Sequence, residues 1–145
     1  MRPQFFAPYL LSVLRIMTGL LFLQHPFAKF FGIPHVAAFD NLRLFSLVGL
    51  AGVIELVGRI LIIAGFYTRT VAFILSGEMA VAYFIAHASH GHVLLPTLNE
   101  GEAAVLYCFV FLFLSVAGAG AWSIDSIRKS RPAAGYNAAV LKEER

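Results

Sequence analysis

The chain has 145 residues, of which 59% are hydrophobic and 13% are charged, and its formal net charge at pH 7 is +3. Soluble domains carry about 25% charged residues, so this composition excludes an ordinary water-soluble domain and predicts an integral membrane protein. The basic residues form no stripe interleaved with aromatic residues, so nucleic-acid binding is not expected. The lone cysteine, Cys108, excludes an internal disulfide and a metal site built from several cysteines.

Four apolar segments approach the length of about 20 residues that a spanning helix needs. The sequence therefore predicts an all-α fold, a four-helix transmembrane bundle formed by residues 1–126. The predicted helices cover residues 9–24, 45–66, 70–87 and 102–122.

The connections between these helices differ in character. Pro26 is expected to end or kink the first helix. Residues 27–44 mix phenylalanines with charged residues and predict a short interfacial segment or amphipathic helix. Residues 67–69 form a tight turn, so the second and third helices make a hairpin. Residues 88–101 form a second loop.

The basic residues predict the orientation, because cytoplasmic loops carry an excess of Lys and Arg. The N-terminus, the turn at Arg69 and the C-terminus share one side of a four-helix bundle, and that side holds most of the basic residues. We therefore expect a multi-pass protein with both termini in the cytoplasm. Residues 127–145 are expected to form a cytoplasmic basic tail, and the 27–44 and 88–101 loops face outward.

Four charged residues, Arg15, Glu55, Arg59 and Glu78, fall inside the predicted spans. Each charge at such depth costs roughly 2.5–3.5 kcal/mol on insertion scales. The 1.5 Å helical rise brings all four to a similar depth, so we expect them to point inward and neutralise one another. Two interpretations remain open: an ion-pair network that fixes helix packing, or a site for a polar ligand, a proton or a quinone head group.

A second group of polar residues lies towards the outward loops. Glu102 begins the fourth helix with Tyr107 nearby, and either lines a shallow outward cavity or provides favourable charge at a helix N-terminus. His87, His90 and His92 with a carboxylate form the elements of a zinc-like site. Their loop spacing is not a fixed-geometry motif, however, so wet interfacial histidines are the plainer interpretation and no metal is predicted.

Four patches of the sequence resemble the DoxX family, and they run in the family's order over about residues 10–125. They cover residues 14–29, 55–69, 77–87 and 99–125, and the most distinctive begins with Gly77 and Glu78. By position, residues matching the family's polar positions are Arg15, Glu55, Glu78, Glu102 and Tyr107. Arg59 and Glu100 stand where the family often has glycine, so they inherit no family role, and Arg59 is interpreted as an added counter-ion for Glu55.

The resemblance implies a four-helix protein of the bacterial inner membrane with a loose link to redox chemistry. Relatives include the membrane subunit of thiosulfate:quinone oxidoreductase, and members proposed to assemble with a sulfurtransferase and a superoxide dismutase. The leading hypothesis is thus a quinone-linked redox or redox-support protein whose cofactor is a diffusible quinone. If it is an enzyme, it is a quinone-linked oxidoreductase subunit.

Two other functions remain open. The first is a non-catalytic membrane scaffold that docks a soluble redox enzyme through its basic tail. The second is a small-solute transporter. Four helices make a narrow pore unless the chain forms a homo-oligomer, so transport ranks below the other two. The expected partners are the lipid bilayer, a soluble redox enzyme and further copies of the chain.

Overall fold

The structure is a computed structural model that describes residues 3–33, 35 and 46–130, and this part of the chain is helical without any strand. The α-helices are α1 (Ala7–Phe22), α2 (Gln24–Phe31), α3 (Leu47–Ala64), α4 (Thr68–Ala82), α5 (Glu102–Ala117) and α6 (Ile124–Ser130). A π-helix, Tyr83–His87, and a 3-10 turn, Ala88–His90, extend α4. The predicted all-α class is confirmed for these residues.

The interfacial segment begins as a helix. The helix is interrupted at Leu23, between α1 and α2. Pro26 lies in the first turn of α2, where its missing N–H costs no helical hydrogen bond. Gly32 ends α2 in the left-handed conformation, with φ of 63°. Residues 34 and 36–44 of the predicted segment lie outside the described residues, as does the 131–145 part of the predicted tail.

The hairpin of α3 and α4 begins and ends with recognisable caps. The Ser46 hydroxyl accepts a hydrogen bond from the Gly49 N–H at 3.1 Å and so caps α3. Gly65 is the C-cap of α3 with φ of 68°, and Tyr67 is the N-cap of α4 with φ of 48°. Halfway along the pair, a Cβ on Gly58 would lie 2.8 Å from a Leu75 methyl group, so the two helices approach closely there.

The segment after α5 differs from the prediction of a helix that continues to residue 122. α5 ends at Ala117 because Gly118 and Gly120 adopt φ of 93° and 78°, which is incompatible with helix. The chain then passes beneath α1, where the Ala121 N–H donates to the Pro8 carbonyl at 3.0 Å. α6 starts only after this turn.

The interior of the bundle combines an apolar core with several buried polar and charged residues. Ser12, Arg15 and Thr18 are buried on α1. The exposed surface of α1 and α5 carries large apolar side chains: Leu10, Val13, Met17, Leu20, Leu106, Phe109, Phe113 and Val116. Such a surface is favourable against hydrocarbon and unfavourable against water.

Helix length supports fewer membrane-spanning helices than the apolar surface suggests. Within the described residues, one helical stretch, Thr68–His90, is long and apolar enough to cross a membrane, with 23 residues and a mean hydropathy of 1.6. Ala7–Phe22 and Glu102–Ala117 are shorter apolar helices.

Candidate functional site

Glu55 and Arg59 lie one turn apart on the buried face of α3. Spacing of four residues puts them on the same side of the helix, and Arg59 Nη2 lies 3.4 Å from Glu55 Oε2. Arg59 is fully buried and Glu55 is 4% exposed. The pairing that the sequence predicts for these two residues is therefore observed, deep inside the bundle.

Arg59 has an aromatic neighbour that the sequence did not predict. Its Cζ lies 3.3 Å from the centroid of the Phe22 ring on α1, a cation–π contact. Phe22 in turn packs against Tyr107 of α5, with ring centroids 4.7 Å apart. Glu78 of α4 and Tyr107 lie close enough to Arg59 to interact with it electrostatically. We call Phe22, Glu55, Arg59, Glu78 and Tyr107 the Arg59 cluster.

Helix packing explains why side chains from four helices meet at this level. α3 and α4 run antiparallel and touch at Gly58 and Leu75, which brings the following turn of α4 opposite Glu55. α4 and α5 are joined by a hydrogen bond from the Ser76 hydroxyl to the Cys108 carbonyl, at 2.9 Å. Tyr107 precedes Cys108 and so reaches the same level.

The lack of hydrogen bonds from the Arg59 guanidinium to described residues distinguishes it from an ordinary structural arginine. None of its guanidinium nitrogens Nε, Nη1 and Nη2 makes a hydrogen bond with a described residue, although all three are buried. A buried polar group without a hydrogen bond is costly. The cluster therefore holds N–H donors that a ligand oxygen can accept from, next to two carboxylates and aromatic rings.

Arg15 does not belong to this cluster, and the expectation that it neutralises Glu55 is corrected. Its guanidinium donates to the carbonyls of Ile63 at 2.6 Å and Ala119 at 2.8 Å, and also to those of Ile62 and Trp122. Ile62 lies seven residues beyond Glu55, which is about 10 Å along α3. We call these contacts the Arg15 staple.

The staple satisfies backbone groups that lack helical partners. Ile63 belongs to the last turn of α3, where its carbonyl has no intrahelical donor, whereas the Ile62 carbonyl also accepts from the Gly65 N–H at 3.0 Å. The negative end of the helix dipole also favours a cation there. α1 reaches this position because Gly19 lets it approach Ile63 closely, where a Cβ would clash. Arg15 thus has a structural explanation that needs no ligand.

Glu102 stands apart from the cluster as well. It is exposed at the first position of α5, and its Oε1 accepts a hydrogen bond from the Thr97 hydroxyl at 2.5 Å. This geometry matches the carboxylate at a helix N-terminus rather than a cavity wall.

The 88–101 loop is organised by Asn99, which the sequence analysis did not single out as a structural residue. The buried Asn99 donates from Nδ2 to the Tyr83 hydroxyl at 3.2 Å and accepts from the Gly101 N–H at 3.0 Å. The Tyr83 hydroxyl donates to the Val93 carbonyl at 2.6 Å. Such a network has no fixed sequence spacing. The signal for it in the sequence was an asparagine among the turn residues of a loop.

The loop histidines are not gathered into a ligand set. Within the described residues, no group of three or more His, Cys, Asp or Glu side chains is arranged to hold a metal ion. His87 Nδ1 lies 3.1 Å from the Asn99 carbonyl, while His90 and His92 are exposed.

Comparison with known proteins adds two findings. The family model of DoxX matches residues 10–88, which include Phe22, Glu55, Arg59 and Glu78 but not Tyr107. An uncharacterized protein of Haemophilus influenzae is 44% identical over 123 residues, covering 83% of this chain and 92% of the relative. No solved structure matches the chain.

Proposed function

The chain belongs to the DoxX family of membrane proteins, and from this membership we propose that residues 1–126 form a four-helix transmembrane domain of the bacterial inner membrane. Both termini then face the cytoplasm, and residues 127–145 form a basic tail. The apolar outer faces of α1 and α5 and the span-length stretch Thr68–His90 support the bilayer as its surroundings.

Within this domain we propose a quinone-linked redox or redox-support role in which the Arg59 cluster binds the polar head group. The single observation that carries it is the fully buried Arg59, whose guanidinium nitrogens make no hydrogen bond with a described residue. An intramembrane ionisable residue is by default a functional candidate. The carbonyl oxygens of a quinone are hydrogen-bond acceptors that match these donors.

The neighbouring residues supply the rest of the chemistry. The rings of Phe22 and Tyr107 offer faces for stacking against a flat head group. Glu55 and Glu78 are the carboxyl groups at this level that can deliver protons to carbonyl oxygens when electrons arrive. In this proposal the electrons come from a soluble redox partner.

Native mass spectrometry of the full chain, purified in mild detergent from its own host, tests this role. We expect a bound quinone on the wild type and its loss from Arg59→Gln and Glu55→Gln. Glu102→Gln is the matched control, because it makes the same carboxyl-to-amide change at an exposed position. Retention of quinone by both cluster variants, or its absence from the wild type, would contradict the proposal.

The second candidate function is a scaffold that docks a soluble redox enzyme. It is supported by α6, where Arg128 and Lys129 are exposed at the start of the basic tail. In the same experiment, a co-purifying soluble enzyme in place of quinone, lost when residues 131–145 are deleted, would favour this function. The buried charges would then serve packing alone.

A further inference from the structure

A groove of about 1000 Å³ lies at the end of the bundle where α4 begins and α5 ends. It is distinct from the Arg59 cluster and is built by different residues. We call it the basic groove, and the residues that give it its character are Tyr67, Arg69, Gly118, Asp125, Arg128 and Lys129.

The groove carries an excess of positive charge. It has three cationic side chains and one carboxylate, Asp125. That carboxylate is already engaged, because its two oxygens accept the N–H groups of Tyr67 at 2.9 Å and Thr68 at 2.8 Å. Arg128 also interacts electrostatically with Asp125, and the other two cations leave the groove with a net positive charge that can attract an external anion.

Two of these cations lie against other residues of the groove. The Arg69 guanidinium lies against Gly118, where a Cβ would be 3.5 Å from Nε, and it makes no hydrogen bond or ion pair with another described residue. The Arg128 Cζ lies 5.1 Å from the centroid of the Tyr67 ring. The planar fork of a guanidinium suits phosphate oxygens, and the groove presents two such groups.

Aromatic side chains mark the level of this groove in a bilayer. Trp122 is 57% exposed, Tyr67 is 55% exposed, and Tyr9 packs edge-on against Trp122 with ring centroids 5.6 Å apart. Exposed Trp and Tyr are enriched at the membrane–water interface, at the height of the lipid head groups. The phosphates of the surrounding lipid therefore lie at the height of Arg69 and Arg128.

We propose that the basic groove binds the phosphate of an anionic phospholipid from the leaflet on its side of the membrane. Basic pockets at helix ends are a known physical means of selecting anionic head groups. The bound phosphate joins α4 to α6, since Arg69 belongs to the first and Arg128 to the second.

The test measures lipid selection by the full-length protein. Purified protein in mild detergent is mixed with equal amounts of phosphatidylglycerol and phosphatidylcholine of the same acyl chains, and native mass spectrometry counts the lipids retained. We expect the wild type to prefer phosphatidylglycerol, and Arg69→Gln/Arg128→Gln to lose about tenfold or more of that preference. Lys129→Gln, at an exposed position, should lose about fivefold and serves if the double variant does not fold.

Controls separate the groove from total charge and from a soluble anion. Arg43→Gln removes the same charge from the sequence between α2 and α3, and should leave the preference unchanged. Equal preference in the wild type and all the groove variants would overturn the proposal. Displacement of phosphatidylglycerol by inorganic phosphate would overturn the lipid assignment in favour of a soluble phosphate.

Discussion

Arg15 is fully buried, and its guanidinium donates to four backbone carbonyl oxygens, on α3 and on the segment that follows α5. Arg59, on the neighbouring helix, is equally buried but donates to no described residue. Two buried arginines of one bundle thus differ in how their guanidinium groups are bound. Arg15 contacts backbone carbonyls, whereas Arg59 lies against the Glu55 carboxylate and the Phe22 ring without making a hydrogen bond to a described residue.

Substitution of Arg15 is expected to destabilise the bundle more than any exposed substitution. Arg15→Gln leaves several buried carbonyls without donors, which costs about 3 kcal/mol or more in the free energy of unfolding. Arg15→Lys keeps the charge but loses the planar fork of the guanidinium. Its free energy of unfolding should therefore lie between those of the wild type and Arg15→Gln. Unfolding in SDS titrations, followed by circular dichroism in detergent, measures both.

Lys129→Gln is the control for this series, because that side chain is exposed and should change the free energy of unfolding little. If Arg15→Gln unfolds at the same SDS concentration as Lys129→Gln, the staple does not hold α1 to α3.

The two arginines also show what sequence spacing predicts. Glu55 and Arg59 follow the four-residue helical repeat, so their contact was predictable from the sequence alone. The partners of Arg15 were not, because they depend on where α1 crosses α3 at Gly19 and on an irregular segment about 100 residues later in the sequence. Ring contacts such as that of Phe22 with Arg59 depend on the same crossing.

At the scale of elements, α6 is fastened to the hairpin of α3 and α4 by Asp125. Its backbone N–H donates to the Gly65 carbonyl at 2.9 Å, and its carboxylate accepts from the first N–H groups of α4. Burial on its own raises the pKa of Asp125. The N–H groups of Thr68 and Tyr67 and the charge of Arg128 outweigh that effect, so the pKa lies below its ordinary value.

This lowered pKa makes the contribution of Asp125 to stability depend on pH. A carboxyl group in the unfolded chain has a pKa of about 3.9, so the contribution is complete above that pH and disappears as the pH falls through the lower folded value. Asp125→Asn should reduce the free energy of unfolding by about 1 kcal/mol between about pH 5 and 8. The difference from the wild type should shrink below about pH 4.

Denaturant unfolding of both proteins across this pH range provides the measurement. Glu100→Gln makes the same chemical change at an exposed loop residue and controls for the loss of one carboxylate. A difference that persists unchanged at the lowest pH would mean that the ionised carboxylate is not what fastens α6.

The end of α5 illustrates why element boundaries are harder to predict than elements. The apolar run continues to Trp122, and hydrophobicity alone extends the helix with it. The backbone turns at Gly118 instead, and the N–H of Trp122 donates to the Ser12 hydroxyl at 3.0 Å. Contact with α1 therefore decides the boundary, and that contact is not visible in a single segment.

At the scale of the whole molecule, buried charged residues lie beside an apolar core, and many large apolar side chains are exposed. The composition had led us to expect a membrane protein. The all-α class and the approximate helix positions followed from apolar segment length and glycine and proline positions. The packing partners of each helix did not, because apolar segments of similar length carry no record of which neighbour they meet.

The proposed orientation is testable by labelling single cysteines in intact cells. In a Cys108→Ala background, Leu94→Cys should react with a membrane-impermeant maleimide from outside, because Leu94 is 91% exposed in the loop that the proposed orientation places outside. Lys129→Cys should react only after the membrane is permeabilised, because it lies at the other end of α5. Labelling of both, or of Lys129→Cys alone, from outside would contradict the orientation.

The Arg15 staple also has a consequence for the order of assembly during synthesis. Arg15 and its partner Ala119 are 104 residues apart, and Trp122 is 107 residues away. At a synthesis rate of about 5–20 residues per second, α1 therefore waits on the order of 5–20 s in the membrane before those carbonyls emerge. The Ile62 and Ile63 carbonyls are made earlier, so the staple can form in two stages, and it is complete only after the turn that follows α5 has been translated.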